Sequence, residues 1–260
     1  MASNSVQSVL VTGANRGIGL EFVSQLASGK FFTAPKHIFA TARSPVDAIA
    51  LQSLAEKHRC VQVVELDVQN DQSIKDAFDK IDGRLKCENL GIDLLINNAG
   101  YNKPEPLGVV SREQMLKHFD INTAGPFAII DVFLPLLRKA ASQKSTEQLG
   151  LNRCAVVMIS SVLGSIGDYI AKHESVANAV AYRVSKAATN MLTVVFSKEL
   201  QEDGILTVAL HPGWVQTDMG GKNAMITVQD SVSSMLKILT KLDRSHNGLL
   251  LDRNGGTIAF

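Results

Sequence analysis

The chain has 260 residues, 45% of them hydrophobic and 20% charged, with a formal net charge of +1. That balance leaves no electrostatic footprint for nucleic acid or an acidic membrane surface, and no apolar run approaches the ~20 residues of a membrane span. The three cysteines (Cys60, Cys87 and Cys154) have no metal-ligand spacing and are odd in number, and Met1 to Ser8 lacks a signal-peptide core, so a reducing cytoplasmic location is expected by exclusion.

Val6 to Val11 is a short β-branched run that stops at Thr12-Gly13 and reads as a buried first strand. Gly13-Ala14-Asn15-Arg16-Gly17-Ile18-Gly19 follows, then a helical pattern from Ile18 to Leu26. Strand, glycine loop and helix N-terminus together make a dinucleotide pyrophosphate site, because glycines let the backbone approach phosphates and free N–H groups attract them. The spacing Gly13-x-x-x-Gly17-x-Gly19 differs from the more familiar Gly-x-Gly-x-x-Gly.

The next strand, His37 to Arg43, ends where such folds read the adenosine ribose. An acidic residue there would repel a 2′-phosphate, but the chain places Arg43 there and Arg16 in the glycine loop. Guanidinium groups grip phosphate bidentately, at about 1.5–3 kcal/mol per charge-assisted contact, so NADP(H) is the expected cofactor.

Val46 to Lys57 has a helical pattern, and Cys60 to Leu66 is a third strand that runs into Asp67-Val68. Asp71 to Lys86 reads as an amphipathic helix, with Asp71 as its expected cap. Gly91 to Ile96 is a fully apolar strand, as a parallel sheet buried on both faces requires. It leads to Asn97-Asn98-Ala99-Gly100, where amides can tie strands together while Ala99 and Gly100 leave room for a cofactor. Ser111 to Ala141 reads as one long helix containing Asn122 and interrupted in pattern by Pro126 and Pro135. Ser142 to Asn152 is loop-like, and Ala155 to Ile159 is a strand that ends at Ser160-Ser161.

Beyond an extra stretch, Asp168 to Asn178, Ala179 to Leu200 is a helix that carries Tyr182 and Lys186. Four residues apart, these side chains share a helix face, roughly 40° apart around the axis. A cation beside a phenol favours the phenolate, so the pair is a candidate general acid or base. Ile205 to Leu210 is the next strand and Pro212-Gly213-Trp214-Val215-Gln216-Thr217 follows it. His211 reads as a strand-end structural residue and Trp214 as core or pocket wall. A helix begins near Val228, and Gly248 to Leu251 is the last strand.

This ordered set of motifs resembles the short-chain dehydrogenases/reductases over essentially the whole chain. Thr12 to Gly19, the Tyr182-Arg183-Val184-Ser185-Lys186 motif and the tail Leu251 to Gly256 look most like the sniffer-type carbonyl reductases. The resemblance implies one Rossmann domain over residues 1–260, a doubly wound seven-stranded parallel sheet with helices on both faces. It also implies a catalytic set of Asn122, Ser161, Tyr182 and Lys186. Asn122 would hold a water through its backbone carbonyl, Ser161 would orient the carbonyl oxygen, Tyr182 would donate the proton, and Lys186 would lower the tyrosine pKa and bond the nicotinamide ribose. Cofactor contacts are expected from Gly13, Asn15, Arg16, Gly17, Ile18 and Gly19 in the loop, and from Arg43. Asp67 and Val68 would lie at the adenine. Asn97, Ala99, Gly100, Pro212, Gly213, Val215 and Thr217 complete the set.

The implied activity is NADPH-dependent reduction of aldehydes, ketones and quinones, with no nucleic-acid or membrane partner and a homodimer left open. The few residues between Thr217 and Val228 suggest a short lid over an open cleft. A dedicated alcohol or steroid dehydrogenase is the alternative enzyme; a cofactor-binding signalling protein with incidental activity is the alternative outside catalysis.

Overall fold

Side chains that alternate between two apolar clusters along fully buried strands set up the architecture. In strand β1 (Ser8–Val11), Val9 and Val11 pack into one apolar cluster while Leu10 packs into another. Leu94 and Ile96 of β4 (Leu94–Asn97) likewise oppose Leu95 across the sheet. Side chains of a strand point alternately to its two faces, so strands that are apolar throughout need cover on both sides. Helices α1 (Gly17–Ala27), α2 (Ile49–Lys57) and α8 (Val228–Leu239) supply apolar residues to the first cluster. Helices α3 (Asp71–Lys86) and α5 (Gly125–Ser142) supply the second, with α7 (Val180–Glu199) packed on the same side through Phe196.

The computed structural model describes residues 6–144, 148–172 and 179–260. The remaining strands are β2 (His37–Ala42), β3 (Val61–Glu65), β5 (Ala155–Ile159), β6 (Leu206–Leu210), β7 (Leu250–Leu251) and β8 (Thr257–Ile258). The sheet order is β3-β2-β1-β4-β5-β6-β7-β8. The first seven strands are parallel, as expected, but β8 is added antiparallel to β7. The glycine-rich tail makes this extra strand: Gly255 takes φ +90°, and the Gly256 N–H donates to Asp252 Oδ1 at 2.9 Å, closing a tight reversal. Strand order reverses between β1 and β4, and ligands of doubly wound sheets bind at the carboxyl ends of the strands beside such a point.

Two helix expectations change. The α3 cap is Asn70, whose Oδ1 accepts from the Gln72 and Ser73 N–H groups, one residue ahead of Asp71. The long helix exists, capped by Ser111, but it is α4 (Arg112–Phe119) joined to α5 through a π-helical turn, Asp120–Ala124. Pro126 has no N–H to give the Asn122 carbonyl four residues back, which loosens the α-helical ladder at this point. The continuous 31-residue helix is long and apolar enough to cross a membrane, yet 56% of its most apolar window is buried inside the protein. Part of the extra stretch before Tyr182 forms α6 (Ile166–Lys172); residues 173–178 lie outside the described ones.

Candidate active site

A cleft of about 950 Å³ opens over the carboxyl ends of β1 and β4. Its floor at β1 is the glycine loop, from which Gly13, Asn15, Arg16, Gly17, Ile18 and Gly19 all line the cleft. Gly13 and Gly17 adopt φ +62° and +54°, backbone that L side chains rarely take. A Cβ on Gly19 would sit 2.3 Å from the Gly13 carbonyl oxygen and 2.5 Å from Asn98 Nδ2, so only glycine fits. Thr12 locks this loop to β4: its Oγ1 accepts from the N–H groups of Asn98 and Ala99 at 2.9 and 3.0 Å. A narrow backbone cradle closed by glycines against the first turn of α1 fits a dinucleotide pyrophosphate.

Arg43, Asp67 and Val68 line the same cleft at the ends of β2 and β3, and Ala99, Gly100, Pro212 and Thr217 line its opposite wall. Arg16 reaches across and pairs with Asp218. Both partners are largely exposed, so the pair is cheap to break, at about 0–1 kcal/mol. The Arg16 guanidinium can therefore turn to a phosphate.

Asn97, Gly213 and Val215 do not line the cleft. Asn97 is buried and its Nδ2 donates to Met158 Sδ at 3.4 Å. Neighbouring residues at a strand end face opposite ways, so Asn98 takes the cleft position: it lines the cavity and donates to the Thr12 and Gly13 carbonyls. Gly213 has φ +85° and a Cβ there would strike Ile226 Cδ1 at 2.4 Å, so its role is to let the chain turn. Val215 is buried and bridged to Ile226, anchoring the lid segment. Trp214 is neither core nor cleft wall: it is half exposed and its Nε1 donates to the Gly220 carbonyl at 2.7 Å, tying the lid segment to itself. Among residues lining the cleft that sequence reading passed over are Asn98, Tyr101 and Asp218. Pattern alternation after Asn97 carried a signal for the first; Asp218 had none, because its partner is distant in sequence.

Helix α7 presents Tyr182 and Lys186 to the cleft. The Lys186 ammonium is buried, donates to the Ile159 carbonyl at 2.8 Å and stands 5.8 Å from the Tyr182 ring centroid. The Ser161 hydroxyl is close enough to Tyr182 to favour its phenolate. Ser161 accepts from the Leu163 N–H at 3.1 Å and is not among the residues that line the cleft. Ser160 lines the cleft, and its hydroxyl donates to Asn190 Oδ1 at 2.5 Å.

Burial pushes the Tyr182 phenol up to about 12, although the Ser161 hydrogen bond pulls the other way. The direction is opposite to the lowering expected from Lys186: removal from water is the largest influence on the phenol. Burial also lowers the Lys186 ammonium to about 8. At neutral pH the arrangement is a firmly protonated phenol beside a cation.

Asn122, in the π-helical turn, acts through both its backbone and its side chain. Its backbone carbonyl accepts from Thr189 Oγ1 on α7 at 2.8 Å. Its side-chain Nδ2 donates to Ser185 Oγ and to the Tyr101 carbonyl, both at 2.9 Å. The turn thereby joins α7 to the segment after β4. His211, at the end of β6, is held neutral by burial, its pKa lowered to about 4, as suits a structural residue.

The fold, the glycine cradle and the Tyr182–Lys186 pair are those of one enzyme class, and the short-chain dehydrogenase profile matches residues 7–225. The chain belongs to the short-chain dehydrogenase family and is an oxidoreductase built for a nicotinamide cofactor. Its relatives are more particular. It is 42% identical to the NADPH-bound carbonyl reductase from chicken fatty liver, with a TM-score of 0.93 over 98% of this chain and 95% of that one. The carbonyl reductase Sniffer of D. melanogaster is 34% identical, with a TM-score of 0.91 over 98% and 100% of the two chains. An uncharacterized oxidoreductase of Schizosaccharomyces pombe is 33% identical over 96% of each chain.

Proposed function

We propose that this protein reduces carbonyl compounds (aldehydes, ketones and quinones) to alcohols with NADPH, Tyr182 donating the proton. The observation that carries the reading is Tyr182 set beside the buried Lys186 ammonium in a cleft that also contains a glycine cradle. Similarity to carbonyl reductases supports the substrate class.

NADPH, when bound, supplies the hydride. Gly13, Gly17 and Gly19 would admit its pyrophosphate, and Arg16 and Arg43 would hold the 2′-phosphate. Ser161 donates a hydrogen bond to the substrate carbonyl oxygen and holds it at the Tyr182 hydroxyl. As charge develops on that oxygen, the phenol gives up its proton. Lys186 stabilises the phenolate that results and bonds the nicotinamide ribose. Asn122 fixes α7 through Thr189 and Ser185, and its carbonyl keeps a second lone pair for a water leading to Lys186.

Mixing the protein with a flat aromatic diketone and either cofactor tests the reading. NADPH should be oxidised fast and NADH little. Binding of NADPH without turnover of any carbonyl would sink it.

A pH dependence follows from Lys186. Its charged form predominates below its lowered pKa of about 8 and is lost as pH rises through that value, while Tyr182, raised to about 12, stays protonated across the same range. The kcat/KM for NADPH, which reports the free enzyme, should therefore fall above pH ~8. A profile flat between pH ~6 and ~10 would exclude a required Lys186 charge.

A further inference from the structure

Tyr101 shares the cleft with Tyr182, and none of the steps above uses its ring. The residue is held at its backbone, its hydroxyl and its ring. Its N–H donates to Asn122 Oδ1 at 2.8 Å and its carbonyl accepts from Asn122 Nδ2 at 2.9 Å. Its hydroxyl donates to Gln114 Oε1 at 3.2 Å, and the Lys117 ammonium lies 4.9 Å from its ring centroid. The His118 ring packs against it, centroids 4.7 Å apart and planes tilted by 56°.

His118 is fully buried, and its two nitrogens have fixed roles. Nε2 accepts from the Lys103 N–H at 3.1 Å, so it carries no proton, and Nδ1 donates to the Gln114 carbonyl at 2.7 Å. One imidazole thus packs the Tyr101 ring and pins the main chain two residues further on. A half-buried aromatic ring held this way has already lost its rotamer freedom, so a flat ligand that contacts it loses little more on binding.

We infer that Tyr101 determines specificity as a fixed aromatic wall for planar aromatic and quinoid carbonyls, and that His118 is the positioning residue that holds it. This rests on the carbonyl-reductase reading.

The experiment measures kcat and KM for phenanthrenequinone and for propanal in the wild type, Tyr101→Leu, Tyr101→Phe and His118→Leu, with NADPH binding followed by Trp214 fluorescence. Tyr101→Leu should lower the kcat/KM ratio of diketone over propanal by about tenfold, mainly through the diketone KM; tenfold is about 1.4 kcal/mol. Tyr101→Phe keeps the ring and should hold the ratio within about threefold, an aromatic contact surviving loss of the hydroxyl. His118→Leu should lower the ratio in the same direction, and adding it to Tyr101→Leu should lower it no further, as expected for one coupled unit. An unchanged ratio in Tyr101→Leu, or equal losses on both carbonyls, overturns the wall. If Tyr101→Leu fails to bind NADPH, His118→Leu decides: an unchanged ratio there overturns the inference. A wild type that oxidises NADPH with neither carbonyl defeats the activity reading itself, an outcome distinct from lost discrimination, and the wall falls with it.

Discussion

Tyr182→Phe is expected to cut carbonyl turnover by about 10²–10⁴, the usual worth of a positioned general acid. The substitution removes one hydroxyl and leaves the ring in place on α7, so the glycine loop and Arg43, which lie on other elements, are untouched. On the proposed mechanism the phenol would be the proton donor: burial pushes its pKa up to about 12, which keeps it protonated near neutral pH. Ser161 keeps the Leu163 N–H in the variant, so the segment after β5 should hold its shape. Single-turnover measurement at saturating NADPH checks the effect, with fluorescence titration of NADPH as the control on the cradle. Turnover within about tenfold of the wild type would mean that the proton comes from elsewhere.

The second large effect is on cofactor choice. Arg43→Glu should lower the kcat/KM ratio of NADPH over NADH by about 10²-fold or more. If Arg43 holds the 2′-phosphate as proposed, the change would delete a charge-assisted contact of about 1.5–3 kcal/mol and place there a carboxylate that repels the phosphate. Arg43 is exposed at the end of β2, so the effect should shrink as salt is raised. Arg16→Ala should act in the same direction but more weakly, because Arg16 must first leave Asp218. The carboxylate of Asp47, also in this part of the cleft, already accepts from the Ser44 hydroxyl at 2.6 Å, which tempers its repulsion of phosphate. A ratio that stays within about twofold in Arg43→Glu would remove the arginine clamp from the account.

How much of this was legible before any coordinates depends on the range over which each feature is set. The strands could be read because each is an apolar run whose burial on both faces is a local consequence of parallel pairing: β5 was placed at Ala155–Ile159 and found there. The glycine loop could be read because its glycines answer local demands, positive φ at Gly13 and Gly17 and lack of space at Gly19. The Tyr182–Lys186 pair could be read because helical spacing alone puts both on one face.

What the sequence hid are properties of contact between distant segments. The π-helical turn at Asn122 arises where a long helix meets both α7 and the chain after β4, and a proline four residues on gives only a hint of it. The Arg16–Asp218 pair and the His118–Tyr101 packing join residues whose spacing in the chain says nothing of their meeting. The exchange of Asn97 for Asn98 turned on which face of β4 looks into the cleft, a question of register. The direction of the Tyr182 pKa belongs here too. Spacing predicted a cation beside a phenol, and that was found; whether the cation or the loss of water would dominate was a matter of how deeply both are buried, and burial is a quantity that only the packed tertiary structure defines.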